Sequence, residues 1–318
     1  MTAAVLGYGG HRVRPEHYEP DRVPPELARL RGTPDTLVPG SPGKVGVLEL
    51  GFAHTGSRTE LVRRYQKAPL QIMRPLYYDP WRPDLPITYL MSTGAGIMQG
   101  DRLRTDLGFG PGSSGHVTTS AYTKALRMEH DYAVAQVNLR VADGAYVEYL
   151  PDPLIAFAGA RLFQRIRVTL AESATLIIGD TLIAGRLAAG ERHRYTVLAL
   201  DLEVDRPDGL PVLVDRMRLD PVSAQGPAVL AGRGLVATLT VLTPDVPAEE
   251  IADLLRAALA PLAGTELAIG VSVLPGDAGA WLRVLGDDPV LVARARTLAW
   301  QAARLRLTGR PAPTIRKS

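Results

Sequence analysis

Side chains able to do acid–base or metal chemistry gather in a few short stretches of this 318-residue chain. Glu129, His130 and Asp131 stand side by side in the run TTSAYTKALRMEHDY. An imidazole flanked by carboxylates suits a first-row divalent metal in a nitrogen and oxygen site. Consecutive residues of a strand point to opposite faces, however, so these three converge only at a turn, and a solvated surface loop is the plainer alternative. A second stretch, GDTLIAGRLAAGERHRY, carries Asp180, Arg186, Glu191 and His193. Asp180 interrupts the most apolar segment of the chain, Ala174 to Gly185, where an ionised carboxylate needs a partner. Arg186 is the nearest candidate, which makes a structural ion pair the first expectation. Glu148 and Asp152 in VEYLPDPLIAF could imitate the paired carboxylates of a glycoside hydrolase. Finally, Gly94, Gly96 and Gly100 lie in STGAGIMQGDRL, directly after the apolar strand ITYLM. A dinucleotide fingerprint fails there because Gln99 stands in place of the third glycine, and no Gly-Lys-Ser/Thr follows. The next segment reads as a strand rather than a helix whose N-terminus could hold an anion. A tight turn that needs glycine conformations accounts for the pattern.

Composition removes other classes. With no cysteine there is no disulfide and no thiolate metal site. Nucleophile-elbow, HExxH and EF-hand patterns are missing, and the six histidines at positions 11, 17, 54, 116, 130 and 193 show no ligand spacing. The net charge is +3, lysine occurs only at 44, 67, 124 and 317, and aromatics make up 6%. The positive charge is therefore almost all arginine, suited to bidentate carboxylate contacts with protein partners. The basic stripe with interleaved aromatics that marks a nucleic-acid surface is missing. Met1 to Pro20 lacks a basic patch followed by an apolar stretch, and no apolar run is long enough to span a bilayer, so a cytoplasmic protein is expected.

The elements that must position these residues are mostly strands. Residues 1–43, crowded with proline, glycine and charge, read as a loosely ordered N-terminal arm, and a single β-rich domain is expected over 44–318. Its first strands fall at Val45 to Leu50, Thr59 to Val62 and Leu70 to Met73. Three stretches starting at Leu107, Leu139 and Val168 each read as strand, tight turn, strand, with spacings of 32 and 29 residues. Such a period suggests helically wound, solenoid-like stacked β-sheets, the alternative being three unrelated hairpins. A further hairpin turns at Asp208-Gly209. Two helices are expected near the C-terminus. In the first, about 247–260, Ile251, Leu254, Leu255, Ala258 and Leu259 form one apolar face, with Pro247 in the first turn. The second, about 289–307, has Asp287 and Asp288 as capping candidates, Thr308-Gly309 as its stop and leucines at 291, 298 and 305.

Taken in order, these segments resemble the UreD/UreH family of urease accessory proteins over roughly residues 43 to 310. The resemblance rests on the glycine-rich turn Gly94, Gly96, Gly100 with Asp101, and on Thr118, Thr119, Thr123 and Lys124. It continues through GAYVEYLPDPLIAFAGA and then Asp180, Gly185, Arg186, Gly190 and Glu191. This chain departs from the family pattern at Ala95, at Ala121-Tyr122, at Ile178-Gly179 and in its ending PTIRKS. The resemblance implies a β-rich, helically wound fold and a maturation scaffold rather than an enzyme. Its implied partners are apo-urease, a helical UreF-type accessory protein and a UreG-type GTPase, with GTP hydrolysis left to the last. No cofactor would be held tightly, and nickel would pass through transiently. Weak candidates for that passage are Asp180 and Glu191, followed by Glu129, His130 and Asp131. The rival from another class is a β-solenoid hydrolase using Glu148 and Asp152.

Overall fold

The structure, a computed structural model, describes residues 12, 14–31 and 45–317. Two sheets face each other. The first has seven strands in the order β14-β13-β11-β8-β5-β1-β2. These are β1 (Val45–Thr55), β2 (Arg58–Lys67), β5 (Arg102–Phe109), β8 (Ala133–Val141), β11 (Arg161–Leu170), β13 (Val197–Asp205) and β14 (Pro211–Leu219). The second has ten strands, ordered β16-β17-β15-β12-β9-β6-β4-β3, with β7 and β10 attached beside β12. They are β3 (Leu70–Gln71), β4 (Ile87–Ser92), β6 (Ser114–Thr119), β7 (Thr123–Ala125), β9 (Tyr146–Tyr149), β10 (Leu154–Ala156), β12 (Thr175–Ile183), β15 (Leu235–Leu242), β16 (Ala268–Val273) and β17 (Gly279–Gly286).

The three similar stretches seen in the sequence are successive coils of a solenoid. Each sends its first strand (β5, β8, β11) into the seven-stranded sheet and its second (β6, β9, β12) into the other, so none is a hairpin. Leu103 aligns with Ala135 and Ala135 with Gln164 in parallel ladders, which are the 32- and 29-residue offsets of the repeat. The turns stack as well. Gly112 N–H donates to Asp143 O at 2.9 Å, and Gly144 N–H to Ser173 Oγ at 3.1 Å. The hairpin at Asp208-Gly209 is present, β13 pairing antiparallel with β14.

Alternation along the strands decides what fills the space between the sheets. Leu48, Leu50, Phe52, Leu107, Leu139, Ile166 and Val168 point inward from one sheet and meet Val117, Val147, Leu176 and Ile178 of the other. Burying each such side chain contributes about 1.5–3 kcal/mol. Phe52 and Phe109 stack with centroids 4.6 Å apart, and a Cβ on Gly115 would lie 2.4 Å from the Phe109 ring. The coil therefore closes only with glycine there.

On the far side of the ten-stranded sheet lie α2 (Ala248–Leu259) and α3 (Pro289–Thr308), matching the two expected helices. Asp288 caps α3 by accepting from Val290 N–H at 2.7 Å, and Gly309 ends it at φ 65°. The buried face of α3 is not the leucine stripe. It is Val292, Ala295, Ala299, Trp300 and Ala303, while Leu305 is 52% exposed. Small alanines let the helix lie close to the sheet, and that closeness buries Arg304 completely.

Residues 14–31, within the expected N-terminal arm, lie against the seven-stranded sheet. Here α1 (Pro25–Ala28) puts Leu27 into a buried cluster with Tyr132, Val134, Phe163, Val197 and Ala199 on the outer face of the seven-stranded sheet. Leu27, with Val23 and Leu30 packed beside it, and hydrogen bonds from Arg102 to Glu19, from Arg104 to His17 O and from Gln136 to Tyr18 O hold this segment to the sheet. The remainder of the expected arm, residues 1–11, 13 and 32–43, lies outside the described residues.

Candidate functional site

Where the inward-facing side chains become small or polar, the sheets part around a cavity of about 250 Å³. Its walls come from Leu103 and Thr105 on β5, Gln164 and Ile166 on β11, Tyr149 on β9 and Asp180 on β12. A share of about 30 Å³ per water gives it room for roughly eight. The mouth is the glycine-rich loop after β4 together with Thr119 to Lys124 and Asp152. A second, narrower space of about 40 Å³ shares Ile166 and Asp180 with the first and continues toward Asp215, Met217 and Thr238. Asp180 therefore borders both spaces.

The glycine-rich loop is shaped by contact as much as by torsion. A Cβ on Gly96 would lie 2.5 Å from Lys124 O, because Ile97 N–H donates to that same carbonyl at 2.7 Å. Gly100 takes φ 78°, open to glycine, whereas Gly94 has ordinary space around it. Asp101 closes the turn by accepting from Met98 N–H at 2.8 Å, and burial pushes its carboxyl up to about 6. Thr118 Oγ1 donates to Leu150 O at 2.8 Å, and Thr119 Oγ1 accepts from Asp152 N–H at 2.9 Å. Thr123 N–H donates to Pro153 O at 3.0 Å, and Lys124 is exposed at the rim.

Asp180 did find a partner, though not Arg186. Its Oδ2 accepts from Gln164 Nε2 and its Oδ1 from Thr181 N–H, at 2.7 and 2.8 Å. Burial raises its carboxyl above the ordinary range. The Thr181 hydrogen bond, the charge of Arg296 and Gln164 only partly offset that. Arg186 instead forks onto Glu191, its Nε 2.7 Å from Oε2, and stacks over the Phe157 ring at 4.7 Å. Glu191 is thus held in a surface loop rather than beside Asp180. Gly185 is obligatory there: its φ is 134° and a Cβ would fall 1.6 Å from Glu191 O. Gly190, at φ 72°, ends the short helix Leu187–Ala189.

Glu129, His130 and Asp131 do not converge. Gln99 Oε1 accepts from both Glu129 and His130 N–H at 2.7 Å, which fixes the loop through its backbone. Glu129 pairs with Arg127 at 3.2 Å, and Asp131 reaches toward Arg102 at 3.7 Å.

The carboxylate pair of the hydrolase alternative is also dispersed. Glu148 is fully buried on the helix side of β9 and lines no groove. It accepts from Tyr146 Oη at 2.6 Å, pairs with His116 Nδ1 at 2.7 Å and accepts from Arg304 Nη1 at 3.1 Å. Burial alone would raise its carboxyl, but His116, Arg304 and Tyr146 together hold it below the ordinary range. Asp152 is engaged elsewhere, by Lys317 at 3.1 Å.

One cluster escaped the sequence. His17, Glu49 and Asp106 bring ligand atoms within 4.8 Å of one another on the outer face of the seven-stranded sheet. They come from three distant segments, so spacing held no trace of them. Arginines already hold both carboxylates: Arg12 and Arg63 donate to Glu49, and Arg104 to Asp106.

Residues 44–318 match the family described as UreD urease accessory protein. The chain belongs to the UreD family. It is 56% identical to "Urease accessory protein UreD 2" of Streptomyces griseus, over 92% of this chain and all of that protein. It is 35% identical to "Urease accessory protein UreD 3" of Methylorubrum populi, over 91% and 94% of the two chains. Against "Urease accessory protein UreD" of Haloarcula marismortui it is 36% identical, over 87% and 92%. In this UreD-family chain the motif residues that carried the resemblance occupy two places. Gly94 to Asp101 and Thr118 to Lys124 surround the cavity mouth, while Gly185 to Glu191 form a surface loop beyond β12. No helix is long and apolar enough to cross a membrane among the described residues.

Proposed function

We propose that this chain is a cytoplasmic maturation scaffold that passes nickel into apo-urease, working with UreF- and UreG-type partners, and does no chemistry of its own. The observation that carries this reading is the pair of neighbouring spaces between the sheets, both bordered by Asp180. A cargo cation must be attracted into the interior but released from it. One carboxylate backed by an amide and a few hydroxyls does that, whereas a closed cage of four ligands would retain the metal. Thr105, Gln164, Thr238 and Asp180 are donors of the required kind, all oxygen or amide, in a chain without thiols. The family membership supports the partners, and the burial of Glu148 counts against the hydrolase alternative.

Asp180→Asn tests the reading directly, because the amide keeps an acceptor toward Thr181 N–H while removing the charge. Co-expression with urease subunits and the other accessory proteins should yield urease with several-fold less nickel, by metal analysis, while pull-down of the partners and the melting temperature stay at wild-type values. Wild-type nickel content in that variant refutes the passage at Asp180.

A further inference from the structure

The segment after α3 crosses the ten-stranded sheet without regular structure and ends its path at the cavity mouth. Two tyrosines steer it: Tyr89 Oη donates to Arg316 O at 2.7 Å, and Arg316 N–H donates to Tyr78 Oη at 3.4 Å. The Lys317 ammonium then enters a nest of oxygens. Its Nζ lies 2.9 Å from Thr118 Oγ1, 2.6 Å from Thr119 O and 3.1 Å from Asp152 Oδ2, with the Tyr89 ring centroid at 5.3 Å. Thr119 and Asp152 belong to the lining of the 250 Å³ cavity.

An ammonium held by a carboxylate, a hydroxyl and a carbonyl occupies the position that a hard or borderline cation would take. The backbone that carries these oxygens is also held independently of Lys317. Asp152 N–H is fixed on Thr119 Oγ1, and Thr118 Oγ1 is fixed on Leu150 O.

We propose that Thr118, Thr119 and Asp152 form a vestibular site for a divalent cation at the entrance to the interior, and that Lys317 is its tethered occupant, displaced when the metal arrives. This gives the Thr118-Thr119 pair a role in the passage that a merely structural turn would not have. The inference rests on the reading of the interior as a nickel passage, and its test uses the chain alone so that the two can fail separately.

Nickel chloride is titrated into the purified full chain by equilibrium dialysis in a non-chelating buffer. Lys317→Met removes the competing charge but keeps the apolar stem, and should bind Ni²⁺ at least tenfold more tightly than wild type. Adding Asp152→Asn to that variant should abolish the gain. On the wild-type chain, acetylation of amines followed by mass spectrometry gives a readout that requires no variant to fold. Saturating Ni²⁺ should raise Lys317 labelling several-fold, with Lys67, exposed on β2 away from the cavity, unchanged as an internal control. Equal affinity in Lys317→Met, a gain that survives Asp152→Asn, or Lys317 labelling indifferent to Ni²⁺ overturns the vestibule. None of these outcomes depends on whether urease acquires nickel.

Discussion

Replacing Arg304 by methionine should destabilise the fold more than any surface change, and the size of the effect follows from what the guanidinium holds. Arg304 is completely buried and serves two buried carboxylates, Glu148 through Nη1 at 3.1 Å and Asp79 through Nη2. Removing one partner of a buried pair costs about 3–5 kcal/mol, because the remaining charge stays desolvated. Because two buried carboxylates lose the same guanidinium, the upper end of that range, about 5 kcal/mol, is expected, even though Glu148 keeps His116 and Tyr146. At about 2 °C per kcal/mol for a chain of this size, the melting temperature should fall by about 10 °C. Acidification separates this cause from simple loss of packing. In the wild type the network holds Glu148 below the ordinary carboxylate range, so its stabilisation is present above the unfolded pKa and is lost as pH falls. In the variant Glu148 keeps His116 and Tyr146 but loses the Arg304 charge that helps to depress it, so less of that stabilisation is there to be lost. The two curves must therefore converge as the pH falls below the ordinary carboxylate range of about 4. Urea unfolding followed by far-UV circular dichroism and Trp300 fluorescence measures this, since Trp300 lies on α3 with its ring 5.4 Å from that of His116. A deficit below about 1 kcal/mol at pH 7, or one that is the same at about pH 3, refutes the claim that charge pairing docks α3.

Two further outcomes follow from the loops. Gly185→Ala meets the Glu191 carbonyl at 1.6 Å and should cost about 2–4 kcal/mol in urea unfolding, whereas Gly94→Ala, with its nearest neighbour at 3.6 Å, should leave the midpoint unchanged. Asp101, raised from 3.8 to about 6, binds its proton earlier in the folded state, so wild-type stability gains a component as pH falls from 7 through 6 toward 4. Asp101→Asn should remove that component and stabilise the protein at pH 7 by up to about 3 kcal/mol, the free-energy equivalent of two pKa units; an unchanged stability profile between pH 4 and pH 7 would contradict it.

Much of the scaffold was legible because parallel stacking copies itself into the sequence. The 32- and 29-residue offsets are ladder registers, and strands that repeat a register must repeat their turn residues too, as Gly112 and Gly144 do. The face of α3 was not legible. Leu291, Leu298 and Leu305 form a regular stripe, but a helix lying close to a sheet buries its small residues, and alanine carries little hydropathic signal. Arg304 carries no signal in the sequence either: nothing in a helical period announces two acids waiting beneath it. Asp180 announced itself by interrupting an apolar run. Its partner did not, since Gln164 lies 16 residues away on the facing sheet and reads as one more polar residue in a strand.

Beyond the vestibule, two further places among the described residues could attract a divalent cation, and their electrostatics favour one of them. At His17, Glu49 and Asp106 the ligand atoms are close, but Arg12, Arg63 and Arg104 already donate to the carboxylates, so a metal would have to displace bound guanidinium groups. Such a cluster is better understood as a staple joining the N-terminal segment to the sheet. Asp180 differs in kind, since its hydrogen bonds come from an amide and a backbone N–H, both neutral. The nearby Arg296 donates to Pro151 O and Thr181 Oγ1, leaving the carboxylate itself without a bound guanidinium. Burial raises its pKa, and the charge of Arg296 offsets that only in part. A cation arriving there through the cavity would relieve the desolvation of the carboxylate without breaking any ion pair. With only one charged ligand and a few neutral donors to hold it, the cation would also be free to leave. Attraction and release from the same carboxylate are what passage requires, and the crowded outer cluster offers neither.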